Sequence, residues 1–87
     1  MTENIYKLLI DKFLNNGISV EEFIEAYFKQ WQRDRDNRII HDPKFQRLID
    51  RFFTSCDCYS DNPQGPLEIS ESELRNELGL LSHIWWG

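Results

Sequence analysis

The sequence predicts an all-α protein, an antiparallel four-helix bundle forming a single domain over residues 1–87. Three observations carry that expectation. Apolar residues recur at helical spacing in four separate segments. Two of those segments open on a Ser-x-x-Glu box, a helix-start signal. No alternating run of β-branched residues supplies a strand. Short connections between such helices favour antiparallel neighbours. A chain of 87 residues has room for one small core.

The first helix is expected over about residues 3–15. Ile5, Leu8, Leu9 and Phe13 make its apolar stripe. Asn15-Asn16-Gly17 ends it, because Asn and Gly tolerate the left-handed backbone that a helix C-terminus adopts. The second helix starts at Ser19, with Glu22 completing the capping box and Ile18 and Phe23 a hydrophobic staple. Its stripe is wide: Val20, Phe23, Ile24, Tyr27, Phe28 and Trp31. Glu25 and Lys29 form an i, i+4 pair on the opposite face. Fraying is expected near Arg33 to Arg35.

The third helix opens at Asp42-Pro43, since Asp is a good N-cap and Pro loses little at the first helical position. Phe45, Leu48, Ile49, Phe52, Phe53, Cys56 and Tyr59 form its stripe. Ser60-Asp61-Asn62-Pro63-Gln64-Gly65-Pro66 breaks it. The fourth helix begins with a second box, Ser70 and Glu73, and a second staple, Ile69 and Leu74. Leu74, Leu78, Leu81 and Trp85 carry the stripe onward. Gly79 inside this helix costs about 1 kcal/mol relative to Ala, and close packing against a neighbouring helix is the ordinary reason to keep it.

Composition excludes several classes. Aromatic residues make up 14% of the chain, too many for a disordered segment. No apolar run is long enough to cross a bilayer. Met1-Thr2-Glu3-Asn4 lacks the basic and apolar regions of a secretory leader, and two cysteines make no disulfide framework. A cytoplasmic protein with reduced thiols, not acting at a membrane, is expected. The net charge of −5 is concentrated in residues 52–87, where Asp57, Asp61, Glu68, Glu71, Glu73 and Glu77 face Arg75 as the lone base. A nucleic-acid binder would show a basic patch instead, so direct nucleic-acid contact is not expected. A basic protein surface suits such a block.

Chemistry is poorly served. Cys56 and Cys58 form Cys-x-Cys with His41 and His83 as the available histidines, which lacks the paired spacing of a zinc site. On that reading Cys56 packs in the core, and Cys58 faces out or ends the helix. Asp61 and Glu73 occupy the first and last positions of a calcium-loop frame, but Pro63, Gly65 and Pro66 stand where ligands and the turn glycine belong. Cys58 with His83 is a minimal thiol nucleophile pair, and no third group is evident to orient it. No metal, no cofactor and no catalysis are therefore expected. The C-terminal Trp85 continues the inward stripe, while Trp86 either covers the end of the bundle or touches a partner.

Two capped acids, Glu71 and Glu73, suit the N-terminus of the fourth helix. That leaves Asp57, Asp61, Glu68 and Glu77 unaccounted for, and the connector that carries Asp61 and Glu68 is shaped by Pro63, Gly65 and Pro66, with Tyr59 at its start. A binding surface is expected there.

Ile18-Ser19-Val20-Glu21-Glu22-Phe23, Tyr27-Phe28-Lys29-Gln30-Trp31, Phe52-Phe53 followed by Cys56-Asp57-Cys58-Tyr59, and Ile69-Ser70-Glu71-Ser72-Glu73-Leu74-Arg75-Asn76-Glu77 occur in this order. Together they resemble the colicin D-type immunity protein family, the self-protective colicin-like immunity proteins that include those of contact-dependent inhibition. The resemblance implies a helical bundle that binds and neutralises a cognate toxin nuclease domain, often a ribonuclease acting on transfer RNA, by covering its basic cleft with an acidic surface. Carried to this chain, it implies Asp57, Tyr59, Asp61, Glu68, Glu71 and Glu73 as toxin-binding residues. The competing reading is a small helical adaptor or regulatory module that binds some other basic protein.

Overall fold

The computed structural model describes residues 3–87. Met1 and Thr2, which open the stretch read above for a leader, lie outside the described residues. Four α-helices make up the fold: α1 (Glu3–Leu14), α2 (Val20–Asp36), α3 (Pro43–Cys58) and α4 (Glu71–Trp86). The all-α, four-helix class expected from the sequence is borne out. Among the described residues the sole β-type pairing is an isolated bridge between Tyr59 and Ile69. The contacts divide the chain into two compact units, residues 1–42 and 43–87. Each is a helical hairpin.

In the first unit, α1 runs antiparallel to α2. Tyr6 meets Tyr27 edge-on with ring centroids 5.5 Å apart, and Phe13 stacks on Phe23 at 4.6 Å. Such pairs add about 0.5–1.5 kcal/mol each beyond the area they bury. The turn between the helices is a Schellman motif. Asn16 takes the left-handed conformation at φ 62°, its N–H reaches Phe13 O at 3.1 Å, and Gly17 N–H reaches Lys12 O at 2.7 Å. A side chain on Gly17 would press a Cβ to 3.2 Å from that same Lys12 carbonyl. Ser19 then caps α2, and both halves of its box with Glu22 are formed.

Two expectations for this unit are corrected. The buried face of α1 is Tyr6, Ile10 and Phe13, while Ile5 is 41% and Leu8 60% exposed. The stripe is turned by about one residue because the Tyr6 hydroxyl finds an acceptor inside the fold, Asp34 Oδ2 at 2.8 Å. The end of α2 does not fray near Arg33; the helix runs to Asp36. A second Schellman motif closes it. Arg38 stands at φ 55°, Arg38 N–H bonds Arg35 O and Ile39 N–H bonds Asp34 O. That reversal returns the chain along the last turn of α2 and brings His41 Nε2 to 3.1 Å from Asp34 Oδ2.

The inward seam of α2 is therefore longer than its apolar residues suggest. Val20, Phe23, Tyr27, Gln30 and Asp34 are all buried, at alternating spacings of three and four. Gln30 Nε2 donates to Asp34 Oδ1 at 2.9 Å, so the Asp34 carboxyl is surrounded by Tyr6, Gln30 and His41.

In the second unit, α3 and α4 also run antiparallel. Phe45 at the start of α3 lies beside Trp85 and Trp86 at the end of α4, with ring centroids 5.6 and 6.1 Å away. Trp86 is half-buried on Phe45, which favours the covering role over the partner contact. Phe45, Ile49, Phe52 and Cys56 from α3, with Leu74 and Leu78 from α4, are buried as expected.

Gly79 overturns an expectation. A Cβ built there meets nothing within 4 Å, so close packing does not explain it. The helix carries the full backbone-entropy cost with no compensating contact. Gly79→Ala is expected to raise stability by about 0.5–1 kcal/mol, a rise in Tm of roughly 2–8 °C for a chain of this size. Thermal unfolding followed by far-UV circular dichroism reads the shift; an unchanged or lower Tm would count against the open site.

Candidate functional site

Asp57, Tyr59, Asp61, Glu68, Glu71 and Glu73 all fall at one end of the α3–α4 hairpin. Asp57 is in the last turn of α3, Glu71 and Glu73 are in the first turn of α4, and the others lie on the connector. What draws them together is the pairing at the foot of that connector. Ile69 N–H bonds Cys58 O and Ser60 N–H bonds Ile69 O, both at 2.9 Å. These two bonds pinch residues 60–69 into a closed loop with adjacent ends. Loops of this kind hold their shape through contacts of their own.

The carboxylates of the loop take part in shaping it. Tyr59 Oη donates to Asp61 Oδ1 at 2.8 Å. Glu68 Oε1 accepts the backbone N–H of Gln64 at 2.8 Å and of Gly65 at 3.2 Å. Ser60 Oγ accepts the N–H of Asn62 at 3.3 Å. Residues 61–68 are nevertheless all exposed. At the start of α4 the second capping box is complete: Ser70 Oγ accepts from Glu73 N–H and Glu73 Oε1 from Ser70 N–H.

The electrostatics separate one acid from the other four. Glu71 Oε2 is 2.8 Å from Arg75 Nε, so its charge is matched inside the helix. Asp61, Glu68 and Glu73 accept from neutral N–H and O–H groups, which fix a carboxylate in place without cancelling its charge. Asp57 is exposed at a helix C-terminus that has no basic residue in its last turn. The helix dipole disfavours an anion there. Glu77, outside the expected set, reaches Arg51 at 3.5 Å. The arrangement is a shaped, outward-facing anionic end.

Other candidate groups separate. Cys56 is buried, and burial pushes its thiol up to about 12. Cys58 is half-buried and is the last residue of α3. His83 is exposed on α4, and His41 is engaged with Asp34. Among the described residues, no three His, Cys, Asp or Glu side chains are gathered as metal ligands.

Two features escaped the sequence reading. Glu68 as a brace for the loop backbone was signalled only by its spacing from Gln64-Gly65. Leu67 was not singled out, although it is the one apolar residue besides proline between Tyr59 and Ile69, and it is 82% exposed.

The sequence pattern of bacterial self-protective colicin-like immunity proteins matches residues 1–81. The chain belongs to that family. Membership implies a protein that neutralises a cognate toxin by binding it, an inhibitor rather than an enzyme. No curated protein and no solved structure matches the chain. Among the described residues of this immunity protein, no helix is long and apolar enough to cross a membrane.

Proposed function

We propose that this immunity protein neutralises a cognate nuclease toxin domain in the cytoplasm by laying the loop end of the α3–α4 hairpin over the toxin's cationic active-site cleft. The toxin class that fits best is a ribonuclease acting on transfer RNA, as the resemblance to the colicin D-type and contact-dependent inhibition branches implies. One observation carries the reading. Asp57, Asp61, Glu68 and Glu73 share one end of the hairpin, and none has a Lys or Arg partner among the described residues.

A ribonuclease gathers cationic side chains around the scissile phosphate. Carboxylates held at fixed positions take the place of those phosphates and exclude RNA. Neutral hydrogen bonds already hold three of the four, so less ordering remains to be done on binding. Opposed fields also speed encounter, by about 10–10³-fold over an uncharged pair at low salt.

Asp57→Asn, Asp61→Asn and Glu68→Gln remove charge, and the last two leave an amide oxygen in place to accept the hydrogen bonds of Tyr59 and of the loop backbone. The triple variant is expected to bind its cognate toxin domain with an association rate at least about tenfold lower at low salt, and with a flatter dependence on salt. Stopped-flow association across a salt series measures both. An unchanged rate and slope would remove the acidic end from the mechanism. Cleavage of transfer RNA by the free toxin domain, suppressed by an equimolar amount of this protein, tests the substrate; a toxin that leaves transfer RNA intact overturns that part.

A further inference from the structure

Leu67 is 82% exposed, on a loop whose residues 61–68 are all exposed. A lone exposed leucine is ordinary on a protein surface. Three features set this one apart. It is flanked by Pro66, which restricts the backbone, and by Glu68, whose carboxylate holds the backbone N–H groups of Gln64 and Gly65. The base of its loop is pinned by the paired bonds between Cys58, Ile69 and Ser60. It also stands between Asp61 and Glu68, inside the anionic end proposed above as the interface.

The chain thus devotes a carboxylate and a backbone bridge to presenting an apolar side chain to solvent. We propose that Leu67 is an apolar anchor of the toxin-binding surface and that Glu68 is a positioning residue that shapes the loop behind it. The partner is then a toxin domain with an apolar socket beside its cationic cleft. This inference rests on the functional reading above and deepens it. Charges at an interface mainly govern encounter, whereas a side chain buried in a socket governs how long the complex lasts.

The division of labour is testable in the complex with the cognate toxin domain, by surface plasmon resonance at several salt concentrations. Leu67→Ala is expected to raise the dissociation rate about tenfold or more, with association rate and salt slope unchanged. Glu68→Gln removes the charge but retains an acceptor for Gln64 and Gly65 N–H, so its dissociation rate is expected to rise less than that of Glu68→Ala. Glu68→Ala loses the brace and is expected to move toward the Leu67→Ala dissociation rate, and the double variant Leu67→Ala with Glu68→Ala adds little to either. A wild-type dissociation rate for Leu67→Ala overturns the anchor. Equal dissociation rates for Glu68→Gln and Glu68→Ala overturn the positioning role. Asp57→Asn is the control for the underlying reading: slower association in that variant with an unaffected Leu67→Ala leaves the acidic end standing and removes the anchor alone. A wild-type protein that forms no complex overturns both. Leu67 is exposed, so Leu67→Ala leaves the buried core intact, and matching Tm values check this.

Discussion

Replacing Asp34 with alanine is expected to lower the unfolding free energy by about 3–5 kcal/mol, a large share of the total for a domain of this size. Asp34 is 5% exposed, and its carboxyl is the shared partner of the Tyr6 hydroxyl, the Gln30 amide and His41 Nε2. Removing it strands several polar groups at once, each at a cost of about 1–3 kcal/mol where no water enters. Tyr6→Phe takes away a single donor and keeps the ring against Tyr27, so it is expected to cost less, about 1–2 kcal/mol. Urea denaturation of the two variants gives the comparison. A loss below 1 kcal/mol for Asp34→Ala, or a larger loss for Tyr6→Phe, would show that the cluster is not what holds α1 to the end of α2.

The second large effect is expected at Phe45. It is fully buried in the first turn of α3 and is the surface on which Trp85 and Trp86 rest. Phe45→Ala removes a ring from a packed site and is expected to cost about 3–5 kcal/mol. It also exposes both indoles, so the folded variant should show red-shifted tryptophan emission. Phe45→Leu refills much of the volume and is expected to recover at least about half of the loss. Native-like emission and stability in Phe45→Ala would mean that the C-terminal tryptophans do not depend on it.

Helix ends were the most legible part of the fold. Ser19 with Glu22 and Ser70 with Glu73 bond locally, three residues apart, so a capping box needs no knowledge of the rest of the chain. Asn16 likewise announces its left-handed backbone by residue type. The inward faces were less legible. Asp34 reads as a solvated charge until Tyr6, 28 residues away, is placed against it, and Tyr6 reads as peripheral until Asp34 is there to accept its hydroxyl. Arg38 carries no local sign of its φ of 55°, because arginine is not selected for that conformation.

The candidate site divides in the same way. Its location at the α3–α4 connector followed from charge and proline placement, both readable along the chain. The internal engagement of its acids did not. Glu68 folding back onto Gln64 and Gly65 depends on the loop closing, and the loop closes through the bridge of Tyr59 with Ile69, two residues ten positions apart that no short-range pattern pairs.

The two thiols of the chain differ in exposure, Cys56 being buried and Cys58 half-buried. Cys56 is buried and stays protonated well above neutral pH, which makes it a poor nucleophile, whereas Cys58 stands at the foot of the loop. The wild-type sequence thereby contains its own labelling handle. A maleimide dye added under native conditions is directed to a single position next to the anionic end, where its fluorescence can report the arrival of a partner without an engineered cysteine.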